Sequence, residues 1–439
     1  MYILKKKMTK LAYIQTFGCQ MNVHDSEKIV TKLLDQGYDI TSDINATDLV
    51  LFNTCSIRQK AEQKFYSELG KVKLIKRKKP QLKIAVAGCI AQQEGRAFKK
   101  KRPFVDIILG TQNIDQLSGL LEKNGIAIDQ KDDISALELT AERQDKVKAF
   151  VNIMFGCNNY CSYCVVPYTR GRERSRSCHS ILSEIQKLGE SGYKEITLLG
   201  QNVNSYKSDC SFSELLRLIH QVSGIERIRF VTSHPKDLNT ELIDTMAQLH
   251  KVCNHIHLPL QSGSNRVINA MNRSYTYEQF KDKTIKLRET IPGIAITSDI
   301  IAGFPGETDF DHSQTITALK ELQFDGIYAF KYSIRPQTKA STMQGHIDED
   351  IKVQRLKEIL EVQELTTGKI NKRLEGIIVK VMVEGKSETN IDRWAGRTTS
   401  NKIVNFDQAS MFKLTAGMFV DIKIIQGFRH SLDGEIVSP

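Results

Sequence analysis

The sequence predicts an α/β protein in three parts: an N-terminal doubly wound parallel sheet, a central partial (β/α)6 barrel and a small C-terminal OB-like β-barrel. Three observations carry this reading. Short apolar runs alternate with helical patterns from Leu11 to about Leu121, a second such series of six units begins at Ala149, and after a long helical stretch the chain changes to short strands separated by turns.

The first series has candidate strands at 11–17, 48–53, 83–87 and 105–109, with polar-faced helices between them. One helix, over 25–35, opens on the cap-type residues Asp25 and Ser26. Cys19, Cys55 and Cys89 each fall one or two residues after one of the first three strands. In a doubly wound sheet the carboxyl ends of parallel strands line one edge, so the three cysteines are expected together there. The polar, acidic stretch 124–148 reads as a linker.

The second series has strands at 149–155, 195–199, 227–232, 255–259, 295–301 and 326–331. Six units are fewer than the eight of a closed barrel, and the chemistry is expected at the carboxyl ends of the strands. A helix over 348–372 precedes strands at 376–383, 394–398, 403–406, 418–425 and 434–437, a pattern that suits a small barrel of the kind that binds nucleic acid. The corresponding domains are 10–125, 143–372 and 373–438.

Composition bounds the function. The 439 residues exceed one ordinary core. With 40% hydrophobic residues and a mean hydropathy of -0.32, no apolar run approaches the roughly 18 residues of a membrane span. The lysines near the start are not followed by an apolar segment of secretory type, so the expected location is cytoplasmic, with no membrane. A net charge of +11 and a pI near 9.0 favour a polyanionic partner. Nine cysteines in a reducing compartment are expected as ligands or buried thiols rather than disulfides.

Cys157, Cys161 and Cys164 form C-x3-C-x2-C on a loop directly after a strand, with Tyr163 inside it. Three thiolates leave one iron of a cubane open to an exogenous ligand, whereas structural zinc closes with four; the alternative is zinc completed by Cys178 or His179. Gly200, Gln201, Asn202, Ser233, Gln261 and Asp299, with His234 beside Ser233, lie at later strand ends, where Gly admits a ligand to the backbone and Gln, Asn and Ser can bond a base, ribose or carboxylate. His255 and His257 are expected to face the barrel as satisfied pocket groups, and Cys178, Cys210 and Cys253 to be buried or incidental thiols.

The cysteine spacing resembles the radical S-adenosylmethionine (SAM) superfamily. Over nearly the whole chain the residues are similar to its methylthiotransferases: Thr16-Phe17-Gly18-Cys19-Gln20-Met21-Asn22, Asn53-Thr54-Cys55 and Ala87-Gly88-Cys89 match the N-terminal domain. Thr169 to Arg176, His257 to Ser264 and Gly303 to Thr308 resemble the radical domain, and Trp394-Ala-Gly-Arg397-Thr398 with Asn401 looks like a TRAM RNA-binding domain. Gln20-Met21-Asn22 resembles the branch acting on N6-isopentenyladenosine at position 37 of tRNA. Other branches, which modify threonylcarbamoyl-adenosine in tRNA or a ribosomal protein, tend to differ there.

The resemblance implies two 4Fe-4S clusters, an auxiliary one on Cys19, Cys55 and Cys89 and a radical-generating one on Cys157, Cys161 and Cys164. It also implies SAM as cofactor, one molecule as methyl source and one as radical source. No Gly-Gly-Glu follows the second radical-domain strand; Leu199-Gly200-Gln201-Asn202 stands there. For the tRNA anticodon loop the expected contacts are the barrel, with Trp394 and Arg397, and the run Arg170, Arg172, Arg174 and Arg176. Lys71 to Lys79 read as a solvated face or a phosphate contact. A flavodoxin or ferredoxin is the expected electron donor and a monomer the expected state. A competing class is a non-catalytic RNA-binding protein with structural metal.

Overall fold

The computed structural model describes residues 9–56, 59–131, 133, 138–408 and 413–438. Two compact units emerge: residues up to Gln144 with Met154–Asn158 and Cys164–Arg176, and Asp145–Ile153 with Asn159–Tyr163 and Ser177–Pro439.

The first unit is a six-stranded sheet of order β2-β1-β3-β4-β5-β6. Its strands are β1 (Lys10–Thr16), β2 (Tyr38–Ile40), β3 (Leu49–Thr54), β4 (Lys83–Gly88), β5 (Ile107–Leu109) and β6 (Gly125–Ala127). All pair in parallel. Helices α1 (Gln20–Asp35), α2 (Gln59–Lys78) and α3 (Cys89–Lys101) alternate with them. Central β3 is buried along its length because successive side chains enter opposite cores. Leu49 and Leu51 pack with Ile29 and Leu33 of α1, while Val50 and Phe52 pack with Phe65 and Leu69 of α2 and Phe98 of α3.

Two expectations change here. The first helix starts at Gln20, so Asp25 and Ser26 lie inside it and its N-cap is Cys19. The stretch 124–148 is not wholly a linker: it opens with β6, which extends the sheet beside β5, and Glu142 N donates to Thr31 Oγ1 at 2.8 Å. Three-residue β2 and β6 are too short for alternation to reveal, and parallel neighbours specify them.

In the second unit two parallel three-stranded sheets carry the expected six strands. One has the order Arg227–Phe230, Glu195–Leu199, Lys148–Asn152; the other His255–His257, Ala295–Ala302, Gly326–Lys331. An isolated bridge pairs Ile228 of the first sheet with Val252, three residues before the second sheet's strand at His255. The expected strand 149–155 is interrupted: Lys148–Asn152 stays in the sheet, whereas Met154–Phe155 pairs antiparallel with Arg174–Ser175 in the first unit. Five strands from Ile378–Lys386 to Leu432–Ser438 close a barrel around Val381, Val383, Val404, Phe406, Val420 and Ile422. Arg227 and Arg229 tie that barrel to the sheet, donating to the carbonyls of Arg397 (2.6 Å), Lys380 (3.1 Å), Thr398 (2.8 Å) and Thr399 (3.1 Å). Among the described residues no helix is long and apolar enough to cross a membrane.

Gly88 ends β4 at φ 88° and ψ -155°, and a Cβ there would lie 2.4 Å from both Asn53 Oδ1 and the Thr54 carbonyl. Gly88→Ala is therefore expected to lower stability by about 2–3 kcal/mol, read as a fall in the denaturant midpoint; an unchanged midpoint would contradict the close approach.

Candidate functional site

Three cysteines of the first unit meet at the carboxyl edge of adjacent strands. Cys19 follows β1 and caps α1, Cys55 follows β3, and Cys89 follows β4 as the first residue of α3. Gly18 permits the approach, since a Cβ there would fall 2.4 Å from Cys55 Cβ and 3.0 Å from its Sγ. Asn22 and Asn53 lock the edge: Asn22 Nδ2 donates to Asn53 Oδ1 (3.2 Å) and Thr54 O (2.8 Å), and Asn53 Nδ2 donates to Asn22 O (2.8 Å) and Ser26 Oγ (2.9 Å). Cys19 Sγ donates to Asn22 Oδ1 at 3.2 Å.

Neither α1 nor α3 has a side-chain N-cap bond, and neither has an acidic residue in its first turn. Two helix N-termini, the second of a helix kinked at Gly95, thus place partial positive charge at Cys19 and Cys89, where an anionic centre is favoured. Burial pushes the Cys89 thiol up, and the guanidinium of Arg170, which bonds it, works in the opposite direction. Three soft sulfur donors, Cys55 and Cys89 buried and Cys19 half-buried, with a guanidinium beside them, fit an iron-sulfur cluster.

Arg170 corrects the expectation of an RNA-facing arginine run. It is buried and paired with Asp25 at 2.8 Å, side chains 3% and 5% exposed. Burial acts against its charge, but Asp25, Cys89 and Cys19 outweigh that and hold it protonated above the usual arginine range. Arg174 Nη2 donates to Gln112 Oε1 at 2.9 Å and Arg174 Nη1 to the Asp133 carbonyl at 2.9 Å, and Arg176 is buried near His24. Only Arg172 of the four is exposed. The run follows the cysteine loop by only a few residues, but the segment turns at Gly171 (φ 78°) and pairs as a short ribbon, which leaves Arg170 and Arg176 buried.

The cysteine loop follows Met154–Phe155. A Cβ at Gly156 (φ 78°) would lie 2.0 Å from the Arg172 carbonyl, and Cys157 N donates to Gly171 O at 3.2 Å, which fixes the start of the loop. In the second unit Ser162 N and Oγ donate to the carbonyls of Met271 (3.0 Å) and Ala270 (2.8 Å). Buried Arg273, which sequence reasoning missed, donates to Cys161 Sγ (3.7 Å), Tyr163 Oη (3.1 Å) and Pro259 O (2.8 Å). Cys178 is joined to Cys210 by a disulfide with Cα atoms 6.4 Å apart, so it is neither an incidental thiol nor a fourth ligand for the loop. Asp209 Oδ1 draws the two segments together by accepting from Cys178 N at 2.7 Å.

Strand ends of the second unit hold buried polar atoms without a protein partner: Asn202 Oδ1, Ser233 Oγ, His234 Nε2 and Gln261 Oε1. Such atoms are costly to bury, and a polar ligand satisfies them. The chain is strained beside them, with Thr232 at φ 67° and Gln261 at φ 71°, values that β-branched Thr rarely adopts. The Asn204 side-chain amide accepts from His234 N at 2.8 Å and donates to His234 O at 3.0 Å, which holds two of these loops together. Burial, with Arg273 and Lys236 nearby, lowers the His234 pKa to about 2. Since its Nδ1 accepts from Lys236 N at 3.2 Å, the neutral ring carries its proton on Nε2.

Gly200 is buried and Gln201 half-buried beside this group. Asp299 instead lies 3.5 Å from His257 Nε2, while its backbone carbonyl accepts from Gln261 N at 2.8 Å. His255 and His257 both contact Thr297 Oγ1 at 3.1 Å, as satisfied pocket groups.

On the barrel, half-buried Trp394 donates to Gln408 Oε1 at 3.2 Å and lies under Lys386 Nζ at 4.8 Å. Arg397 bonds Asn401 O at 3.2 Å and lines a cavity of about 320 Å³ with His255, Gly326, Lys402 and Arg429. That cavity lies by strand starts and includes none of the polar group at the strand ends. In the lysine run, Lys76 pairs with Asp106, and Lys79 donates to Thr47 O at 2.7 Å.

Comparison with known proteins places this geometry. Residues 11–110 match the uncharacterized protein family UPF0004, residues 151–319 the radical SAM superfamily and residues 372–437 the TRAM domain. A tRNA-2-methylthio-N(6)-dimethylallyladenosine synthase of Thermodesulfovibrio yellowstonii is 51% identical over 98% of this chain and 99% of its own length. Proteins of the same name from Clostridium tetani (47%, 97% and 96%) and Acetivibrio thermocellus (46%, 99% and 92%) are similar. Among solved structures, the radical SAM methyltransferase TsrM of Kitasatospora setae shares the fold with a TM-score of 0.57 at 14% identity, over 76% of this chain and 75% of that one. The cobalamin-dependent radical enzyme OxsB gives 0.53 at 12%, over 81% and 56%.

Two substitutions test the electrostatics. Asp25→Asn strands a buried arginine and is expected to cost about 3–5 kcal/mol in chemical unfolding, far more than a surface charge. Ser233→Ala removes a hydroxyl without a protein partner and is expected to stay within about 0.5 kcal/mol of the parent; a larger loss would mean that Ser233 serves the fold.

Proposed function

We infer the function from the premise that the chain belongs to the tRNA-2-methylthio-N(6)-dimethylallyladenosine synthase family, whose relatives match it over 97–99% of its length. The chain is a radical SAM methylthiotransferase that converts N6-isopentenyladenosine at position 37 of tRNA to its 2-methylthio derivative. The observation that carries this reading is a second set of three cysteines, at the carboxyl ends of β1, β3 and β4, in addition to the C-x3-C-x2-C loop. RNA binding alone has no use for two such sets.

The adenine C2–H bond is neither acidic nor open to a nucleophile, so acid-base groups do not suffice. Cys157, Cys161 and Cys164 would hold a 4Fe-4S cluster that would supply an electron for SAM cleavage, and Cys19, Cys55 and Cys89 would hold a second that would supply sulfur, with another SAM as the methyl source. For SAM, His234 offers a fixed Nε2–H donor, Asn202 Oδ1 and Gln261 Oε1 are acceptors for its amino and ribose hydroxyl groups, and Ser233 Oγ can serve either way. Gly200 and Gln201 take the place beside them, and Asp299 contributes through its backbone bond to Gln261. Neutral His234 adds no charge against the sulfonium.

The anticodon loop is the reading's RNA partner, supported by the charge of +11 and the TRAM barrel. Arg172 and Trp394 take phosphate and base contacts, since each reaches the surface of its unit. A flavodoxin or ferredoxin as reductant, a monomeric working unit and a cytoplasmic location complete the proposal.

Anaerobic reconstitution is expected to load about eight irons per chain, falling by about half in Cys55→Ala. Turnover with SAM, a reductant and an anticodon stem-loop bearing N6-isopentenyladenosine should add a methylthio group, detected by mass spectrometry, with none on a threonylcarbamoyl-adenosine loop. Modification of the second substrate instead would move the specificity; colourless protein without SAM cleavage would overturn the reading.

A further inference from the structure

Among the described residues, one buried cation beside Cys161 has no carboxylate as counter-ion. Arg273 is 7% exposed, and its guanidinium donors go to neutral or thiol groups. Nη2 bonds the Pro259 carbonyl (2.8 Å), Nη1 bonds Tyr163 Oη (3.1 Å) and Cys161 Sγ (3.7 Å), and Nε bonds Tyr275 Oη. Tyr275 Oη in turn donates to the carbonyls of Pro259 (3.0 Å) and Leu260 (2.9 Å), which holds the guanidinium plane. Among the described residues no carboxylate bonds Arg273.

Three other buried arginines have carboxylates, Arg170 with Asp25 at 2.8 Å, Arg229 with Glu195 at 2.9 Å and Arg355 with Glu307 at 2.8 Å, while Arg227 bonds barrel carbonyls and, among the described residues, no thiol. A guanidinium removed from water is costly unless an anion compensates it. Here no side chain supplies that anion, yet the cation is aimed at a sulfur.

We propose that Arg273 is the counter-charge of the cluster held by the cysteine loop, donating to the Cys161 sulfur and raising the cluster's reduction potential. This rests on reading Cys157, Cys161 and Cys164 as the cluster ligands. Three thiolates make the bound cluster anionic, and reduction adds a further negative charge. A fixed cation with an N–H bond to sulfur therefore stabilises the reduced state more than the oxidised one. The two cysteine sets differ in this respect: Arg170 beside Cys89 is already neutralised by Asp25, whereas the charge of Arg273 is uncompensated. Arg273 is a positioning and tuning residue, touching a ligand sulfur rather than substrate.

The test is a redox titration followed by electron paramagnetic resonance on the reconstituted full-length chain, with Cys19, Cys55 and Cys89 replaced by alanine so that one cluster signal remains. Arg273→Met should retain iron while its midpoint moves negative, so that at a fixed potential the reduced-to-oxidised ratio falls at least about tenfold (about 59 mV for one electron). Arg273→Lys, which keeps the charge, should recover part of that shift. Arg273→Gln keeps donors for Pro259 and Tyr275 without the charge, and should match Met if Met loads poorly. An unchanged midpoint in the iron-loaded variants, or failure of both uncharged variants to fold, would make the arginine a packing element and overturn the proposal. A parent signal that survives Cys161→Ala would overturn both the proposal and the ligand assignment beneath it.

Discussion

Parallel hydrogen bonding between β1, β3 and β4 puts three chain reversals side by side at one edge of a sheet, and a cysteine occupies each of them. Everything else at that edge accommodates the resulting crowding. Glycine at 18 and 88 removes the Cβ atoms that would collide with Cys55 and Asn53, and the reciprocal Asn22 and Asn53 bonds use the amide groups the turns leave open. The helices that follow two of these strands begin at the cysteines themselves, so backbone dipoles and thiols share one place.

Charge is handled differently in the two cysteine sets. Around Cys19 and Cys89 the protein brings its own balance, with Arg170 answered by Asp25 and the nearby Arg143 by Glu27 at 3.1 Å. His24, buried in the same region with Lys28, Arg143 and Arg176 nearby, has a depressed pKa and stays neutral. Around Cys161 the balance is left open, and the structure there makes sense as a receptor for negative charge. The same reasoning applies to polar atoms: Asn202, Ser233, His234 and Gln261 keep buried groups unsatisfied within the protein, on backbone strained at Thr232 and Gln261. Rigid sheets on either side hold that strain in place.

The closed barrel serves the second unit as a docked element rather than a tethered one. Arg227 and Arg229 offer guanidinium donors to four barrel carbonyls, and Glu195 fixes Arg229 from the sheet side at 2.9 Å. Two arginines and one carboxylate, all buried, thus help to fix the barrel against the strands, with Lys402 paired to Asp325 at 2.9 Å beside them.

Much of this was legible in residue order. Apolar runs of four to eight residues located the longer strands, and cysteines placed just after strands in a βα series meet at one edge because parallel topology allows nothing else. The motif around Cys157 and the Gln20-Met21-Asn22 run identified the chemistry and its branch. The tertiary structure decided what depends on neighbours distant in sequence. Arg170 and Arg176 look like a basic surface run until the turn at Gly171 carries them inward. Arg273, more than a hundred residues from Cys161, has no local pattern to mark it. The pairing of Cys178 with Cys210, and the short strands β2 and β6, exist because other segments arrive beside them. Periodicity reports which side of its own strand or helix a residue occupies; its partners follow only once the strands have chosen their neighbours.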